Sequence, residues 1–506
     1  MNTKLKTFSI CILLVLAVLV GILALDAPLT AQAETPEGVY VGGVYLSSGN
    51  YLPSGSEVEV DEKPEGGYAY FDAAGLVLKD YVYDGWGYEE SQNNFYLIYA
   101  EGDLNIYLEG ENSLLATASP NADFTGIYVR NGSLNIKGPG KLTVEASNPI
   151  NVYTGDISIE GGRLNLTHRG NHYGMYVYGG GISISGGIHS VTGYYGAVYS
   201  SGGTTMSGGS LTATGNNCAI DGAFTMTSGC LLAIATGDGM SAFDTGVNDI
   251  IDFSSLTNAS AFGYDNIEGN SAEVYDDEYK AYYKRVFVKP TVHNVWVGGT
   301  QLSDTNMSTE VFFEPLSRTL TLTNYECVET SGYAYFGEAK ALVYSEDDLS
   351  IVLSGENTLT AKEGEEGIRL ADRRLLTIDT AEGEIGVLNV SGAYGIGAVS
   401  EIKGGKITVA GTETAMITAP DLRYYYETPY IRVSGNASGS AWTLNYDATK
   451  IDEYKYIYFA EGVMVEYYVD NVLKSSGAEE KGAEYQLKTC RFEIPTGYGG
   501  ILEDIM

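Results

Sequence analysis

Ile157-Ser158-Ile159-Glu160-Gly161-Gly162-Arg163-Leu164-Asn165-Leu166 decides the fold class. Apolar and polar residues alternate on both sides of a glycine pair. Period-2 alternation marks a strand with one buried face. Glycine supplies the positive φ of a tight corner at no steric cost. Related units begin at Leu134, Ile182, Thr204 and Phe224, and their markers Ile136, Ile159, Ile184, Met206 and Met226 are spaced by 23, 25, 22 and 20 residues. A further apolar-alternating element follows each corner (Lys141–Val144, Arg163–Leu166). Another precedes each unit (Gly126–Val129, Gly174–Val177, Gly196–Tyr199). Each repeat therefore holds three short strands. A unit of about 22 residues cannot bury its own apolar face, and stacking successive units makes one continuous core. The expected fold is all-β: a right-handed parallel β-helix, or solenoid. A propeller blade would need about 40–50 residues.

The array is duplicated. Val39–Gly43 returns as Val295–Gly299, Phe71–Tyr81 as Phe313–Tyr325, Leu97–Leu104 as Leu342–Leu349, and Leu108–Asn112 as Leu353–Asn357. The offsets are 256, 242 rising to 244, 245 and 245. The second array is shorter, with markers Ile351, Ile378 and Ile402 and a corner at Lys403-Gly404-Gly405-Lys406. Residues 39–95 and 295–335 read as antiparallel caps over open edges. Expected boundaries are 34–290 and 291–460 for the tandem arrays, and 461–506 for a small, incomplete C-terminal β module.

Residues 1–33 read as a targeting segment. Lys4 and Lys6 precede a charge-free apolar run from Phe8 to Leu25, and Ala31-Gln32-Ala33 offers cleavage after Ala33. The run is also near the lower limit for a membrane span, so a signal peptide and a retained N-terminal anchor are both open. Either places the remainder outside the cell or on its surface. The formal charge of −36, from 29 Lys+Arg and 65 Asp+Glu, becomes −37 on cleavage. Such a chain does not bind nucleic acid through phosphates. Membrane contact is expected only through an uncleaved N-terminus. Cys218, Cys230, Cys327 and Cys490 are too scattered for a disulfide scaffold. Cys218 and Cys230 read as buried thiols, with pairing the alternative.

Asp103–Asn112 and Asp348–Asn357 share the pattern D-L-x-I-x-L-x-G-x-N. With the Gly-Gly strand ends and the G-I-x-x repeats, they resemble exported, carbohydrate-binding-domain-like β-helix proteins of anaerobic Gram-positive bacteria, over roughly 39–410. The resemblance rests on scaffold motifs. It implies a β-helix and carbohydrate binding, with calcium and acidic polysaccharides as ligands reported for some relatives. It carries no binding residue over.

The candidate chemistry is sparse. Glycosidases need paired carboxylates. Asp276-Asp277-Glu278 and Glu346-Asp347-Asp348 read as solvated loop charge. Arg163, His168, Arg169 and His172 are the densest basic group, without an acid cluster nearby in sequence. Calcium is a weak candidate at Glu101 and Asp103, with Glu109 and Glu111 near, and at Asp347 and Asp348, with Glu346 and Glu356 near. His189 reads as a surface histidine. The 41 Tyr, against 14 Phe, say more. Tyr128, Tyr153, Tyr173, Tyr176, Tyr178, Tyr194, Tyr195 and Tyr199 fall at or near the starts of successive repeats. Stacking would set some of them in a row, as a ligand face or a stabilising ladder. The expected function is non-catalytic polysaccharide binding through a Tyr-rich acidic face. An adhesin or structural protein contacting surface proteins, and a divergent lyase or hydrolase, are the alternatives.

Overall fold

The structure is a computed structural model. It describes residues 38–480 except 92, 117–122, 245–249, 257–258, 270–272, 277–281, 423–428 and 470–471, with backbone alone for 462–480. The targeting segment with its cleavage site, Cys490, Asp277, Glu278 and residues 481–506 lie outside the described residues.

The described chain is all-β, with long sheets rich in parallel pairs. Each repeat of the first array sends one strand to each of three sheets. Sheet 1 runs through Asn94–Ala100, Asp123–Asn131, Asn148–Thr154, Met175–Val177, Gly196–Ser200 and Cys218–Asp221. Sheet 2 runs through Gly75–Lys79, Leu104–Glu109, Leu134–Lys137, Ile157–Ile159, Ile182–Ile184, Thr204–Met206 and Phe224–Met226. Sheet 3 contains Glu111–Ala116, Lys141–Ala146, Arg163–His168, Ile188–Gly193, Ser210–Gly215 and Cys230–Ala235. All five spacing markers stand in register: Ile136 opposite Ile159, then Ile184, Met206 and Met226. All five are fully buried. Burial of each such side chain stabilises by about 1.5–3 kcal/mol.

Antiparallel strands cover the ends. Gly38–Val41 pairs with Val44–Ser47, and Tyr68–Asp72 with Gly75–Lys79. The parallel array nevertheless begins earlier than expected, because Gly75–Lys79 already pairs in parallel with Leu104–Glu109. At the far end Arg285–Pro290 lies antiparallel to Cys230–Ala235.

The second array has its own buried cluster. Its markers Ile351, Ile378 and Ile402 also stand in register. Sheet 4 holds Val292–Val297, Ala339–Ser345, Glu366–Leu370, Val387–Gly397 and Lys406–Met416, while sheet 5 holds Thr319–Thr323, Leu349–Ser354, Leu375–Thr380 and Val399–Ile402. Tyr456–Val469 pairs with Lys406–Met416 at its start and Val472–Glu480 at its end, so residue 461 falls inside one strand.

The shared G-x-N motif builds a corner. Asn112 Oδ1 accepts from Tyr81 N at 2.9 Å, and its Nδ2 donates to Glu109 O and Lys141 O, both at 3.1 Å. Asn357 repeats this with Tyr325 N at 2.9 Å and with Ser354 O and Val387 O, both at 3.2 Å. Gly110 and Gly355 both adopt φ +63°, a region other residues avoid.

The structure corrects two expectations. Asp347 and Asp348 are buried, not solvated. Asp347 pairs with Arg318 at 3.4 Å and Arg374 at 3.5 Å. Asp348 Oδ1 accepts from Leu375 N at 2.8 Å, and burial pushes its carboxyl up to about 6. The cause is array-to-array packing. Arg374 donates to Glu160 O, and Arg163 donates to Ser350 Oγ at 3.1 Å and Thr377 Oγ1 at 2.8 Å. His189, read as a surface residue, is 2% exposed. Its Nε2 lies 2.7 Å from Gly186 O, and burial lowers its pKa to about 4. The basic group Arg163, His168, Arg169 and His172 is dispersed. Arg169 pairs with Glu145, His168 Nδ1 lies 3.0 Å from Thr192 Oγ1, and His172 sits 3.6 Å from Asp123. Strand alternation and the corner between sheets aim these four side chains at different neighbours.

Candidate functional site

On sheet 1 the residues between inward-facing apolar positions form an outward column. Parallel pairing aligns Tyr99, Tyr128, Asn151, Tyr176, Tyr199 and Asp221 on successive strands. Tyr40 extends it across the antiparallel edge. A parallel ladder brings the same position of each repeat to the same height, so rings stack wherever neighbours are both Tyr. Tyr128 stacks on Tyr96 at 4.7 Å between centroids and on Tyr99 at 5.8 Å. Tyr176 stacks on Tyr199 at 4.9 Å and 15°. Between these two groups stands Asn151, and among the described residues no ring contact joins Tyr128 to Tyr176.

The break opens a cleft of about 400 Å³ lined by Asn94, Tyr96, Asp123, Thr125, Tyr128, Asn148, Asn151, His172, Tyr173, Tyr176 and Tyr195. Asn148 is 9% exposed, and neither its Oδ1 nor that of Asn151 has a hydrogen-bond partner among the described residues. Burial raises the pKa of the Tyr128 and Tyr176 phenols. Burial, then the carboxylate each hydroxyl donates to, raises those of Tyr96 and Tyr173, with Glu90 at 3.1 Å and Asp221 at 2.6 Å. All four hydroxyls are therefore neutral donors over the physiological range.

Beside the cleft, Tyr153 and Tyr178 form an open pair. Their rings lie 5.4 Å apart and 11° from parallel, at 49% and 54% exposure. Tyr194 and Tyr195 sit edge to face at 5.6 Å on the corner Gly193–Gly196. Tyr195 reaches Tyr173 at 6.0 Å. The eight expected tyrosines thus divide. Tyr128, Tyr173, Tyr176 and Tyr195 line the cleft, Tyr153 and Tyr178 form the open platform, Tyr194 is exposed at the corner, and Tyr199 backs Tyr176. Asn148 and Asn151 were missed. The signal was in the sequence: Asn151 in Ile150-Asn151-Val152 fills the slot that Tyr128 fills in Ile127-Tyr128-Val129.

The second array repeats the aromatic start of the first. Tyr40 stacks on Tyr88 at 3.8 Å, and Trp296 on Tyr333 at 4.1 Å. In the next repeat Arg369 stands opposite Tyr344, where the first array has Tyr128 opposite Tyr99.

The calcium candidates are engaged within the chain. Glu101 accepts from Asn131 Nδ2 at 2.8 Å and from the Tyr99 hydroxyl, and Asp103 Oδ1 from Ser133 N at 2.7 Å. Asp347 and Asp348 belong to the buried arginine contacts. Among the described residues no three His, Cys, Asp or Glu side chains converge as a cation site. Cys218, Cys230 and Cys327 are free and buried, and burial pushes the Cys218 thiol up to about 12. No helix of the described residues is long and apolar enough to cross a membrane. Comparison with protein-family models, curated proteins and solved structures finds no match.

Proposed function

We propose that this chain is a non-catalytic, exported polysaccharide-binding protein that holds its ligand along the tyrosine face of sheet 1. The fold that goes with this reading is a pair of right-handed parallel β-helices in tandem. Three strands per repeat, parallel pairing and in-register inner ladders support it, and a parallel crossover is overwhelmingly right-handed. The apolar N-terminal run supports export, as does the resemblance of the scaffold motifs to exported β-helix proteins.

The observation that carries the function is the Tyr153–Tyr178 pair beside the cleft. Two nearly parallel, stacked rings, each half exposed, offer apolar ring surface and hydroxyls to the same open face. Pyranose rings have apolar faces and hydroxyl edges, so they match such a surface at low entropic cost. Binding by contact alone fits a face without a nucleophile–base pair or a converging carboxylate pair among the described residues.

The test is a glycan array probed with the mature chain, with and without EDTA. Binding that survives EDTA supports the proposal. Binding lost in EDTA would restore a calcium role. Silence in both conditions overturns the proposal, and pull-down of surface proteins then tests the adhesin alternative. Product release from pectin or glycosaminoglycans would mark a lyase or hydrolase.

A further inference from the structure

Resting on the polysaccharide reading, we infer that the break in the tyrosine column is a subsite that takes one neutral pyranose ring of the glycan, inserted between Tyr128 and Tyr176. The geometry comes first. Tyr128 and Tyr176 stand two strands apart, each opposite Asn151 in register. Strand spacing of about 4.8 Å puts them roughly 9.6 Å apart along the column. Two carbon–carbon contacts of about 3.5–4.0 Å use roughly 7–8 Å of that. The gap fits one flat ring.

The chemistry of the floor selects the ring. Asn148 and Asn151 form the floor, and the side-chain oxygen of each is buried without a partner among the described residues. A buried acceptor left unpaired is costly, so turning either amide toward a ligand hydroxyl relieves it. Asp123 adds a carboxylate at the rim, with His172 3.6 Å from it. Acceptors and a carboxylate favour hydroxyl donors and disfavour a carboxylate-bearing sugar. The subsite therefore prefers a neutral hexose to a uronate, although neutral sugar is not dictated by the open Tyr153–Tyr178 platform.

Asn151→Tyr tests this. The substitution continues the column Tyr128–Tyr176 with a ring at the natural ladder spacing, so it fills the gap without burying new polarity. Full-length mature chain, wild type and variant, is titrated calorimetrically with cellohexaose, mannohexaose, maltohexaose and an oligogalacturonate hexamer. Thermal melting monitors folding. The expected result is wild-type binding of at least one neutral hexamer over the uronate, and a loss of tenfold or more, roughly, in the variant with an unchanged or raised Tm. Tyr176→Ala loses about tenfold by removing one wall. Equal binding by wild type and Asn151→Tyr overturns the subsite while leaving the polysaccharide reading standing. Preference for the uronate overturns its neutral chemistry. No binding to any hexamer, with a silent glycan array, overturns both.

Discussion

Replacing Asn112 by Ala should destabilise the first array while leaving the second intact. The side chain is 3% exposed and closes the corner through three hydrogen bonds. Glu109 O keeps a second donor, Asp80 N at 3.2 Å. The Tyr81 amide loses its Asn112 acceptor. An orphaned buried amide costs about 1–3 kcal/mol, and each of the two lost donations about 0.5–1.5 kcal/mol, so the sum is roughly 2–6 kcal/mol. For an array of this size each kcal/mol moves Tm by about 2–4 °C, giving a fall of roughly 4–24 °C. Differential scanning calorimetry measures the fall, and hydrogen exchange at the Tyr81 amide locates it. Asn112→Asp keeps the acceptor and loses both donors, so it should fall in between. Asn357→Ala should produce the same loss in the second array. A transition unmoved by Asn112→Ala, with Tyr81 exchange unchanged, would refute the assignment of the corner to this side chain.

Two further predictions concern the core and the corners. Asp348 has its pKa raised to about 6 by burial, above the usual carboxylate value. A folded pKa above the unfolded one costs stability as pH rises between the two, and the cost is complete above about 6. Asp348→Asn keeps the oxygen that accepts from Leu375 N. Its advantage over wild type should therefore grow by about 2–3 kcal/mol from pH 4 to pH 7; urea denaturation across that range reads it, and an advantage that shrinks with pH refutes it. At the corner of sheets 3 and 1, a Cβ on Gly215 would lie 1.6 Å from Cys218 O. Gly215→Ala should cost about 1–3 kcal/mol or more through forced backbone shift; an unchanged Tm would show that the corner yields freely.

Repeat period, strand alternation and register were legible because they depend on neighbours in sequence. Ile136, Ile159, Ile184, Met206 and Met226 fall into one buried ladder through spacing alone. What depends on the second array was not legible. Asp347 meets Arg374 27 residues away and Arg318 29 away, and Arg163 meets Thr377 over a separation of 214. No local pattern announces that those charges face each other rather than water. The tyrosine row was half legible. Counting Tyr found the rings, but the cleft arises where one is missing, and a residue that breaks a pattern is visible only once the repeats are aligned slot by slot.

The asparagine corner bears on how the chain counts its own turns during folding. Successive repeats carry nearly interchangeable alternation, so a shift by one whole repeat would bury the same kinds of residue and meet little local resistance. Asn112 and Asn357 each end the shared motif near the beginning of an array, and each binds backbone one repeat earlier, at Tyr81 or Tyr325, and one repeat later, at Lys141 or Val387. They give each stack a fixed zero from which later repeats are numbered. A chain emerging N-terminus first would meet that reference before any of the repeats able to slip.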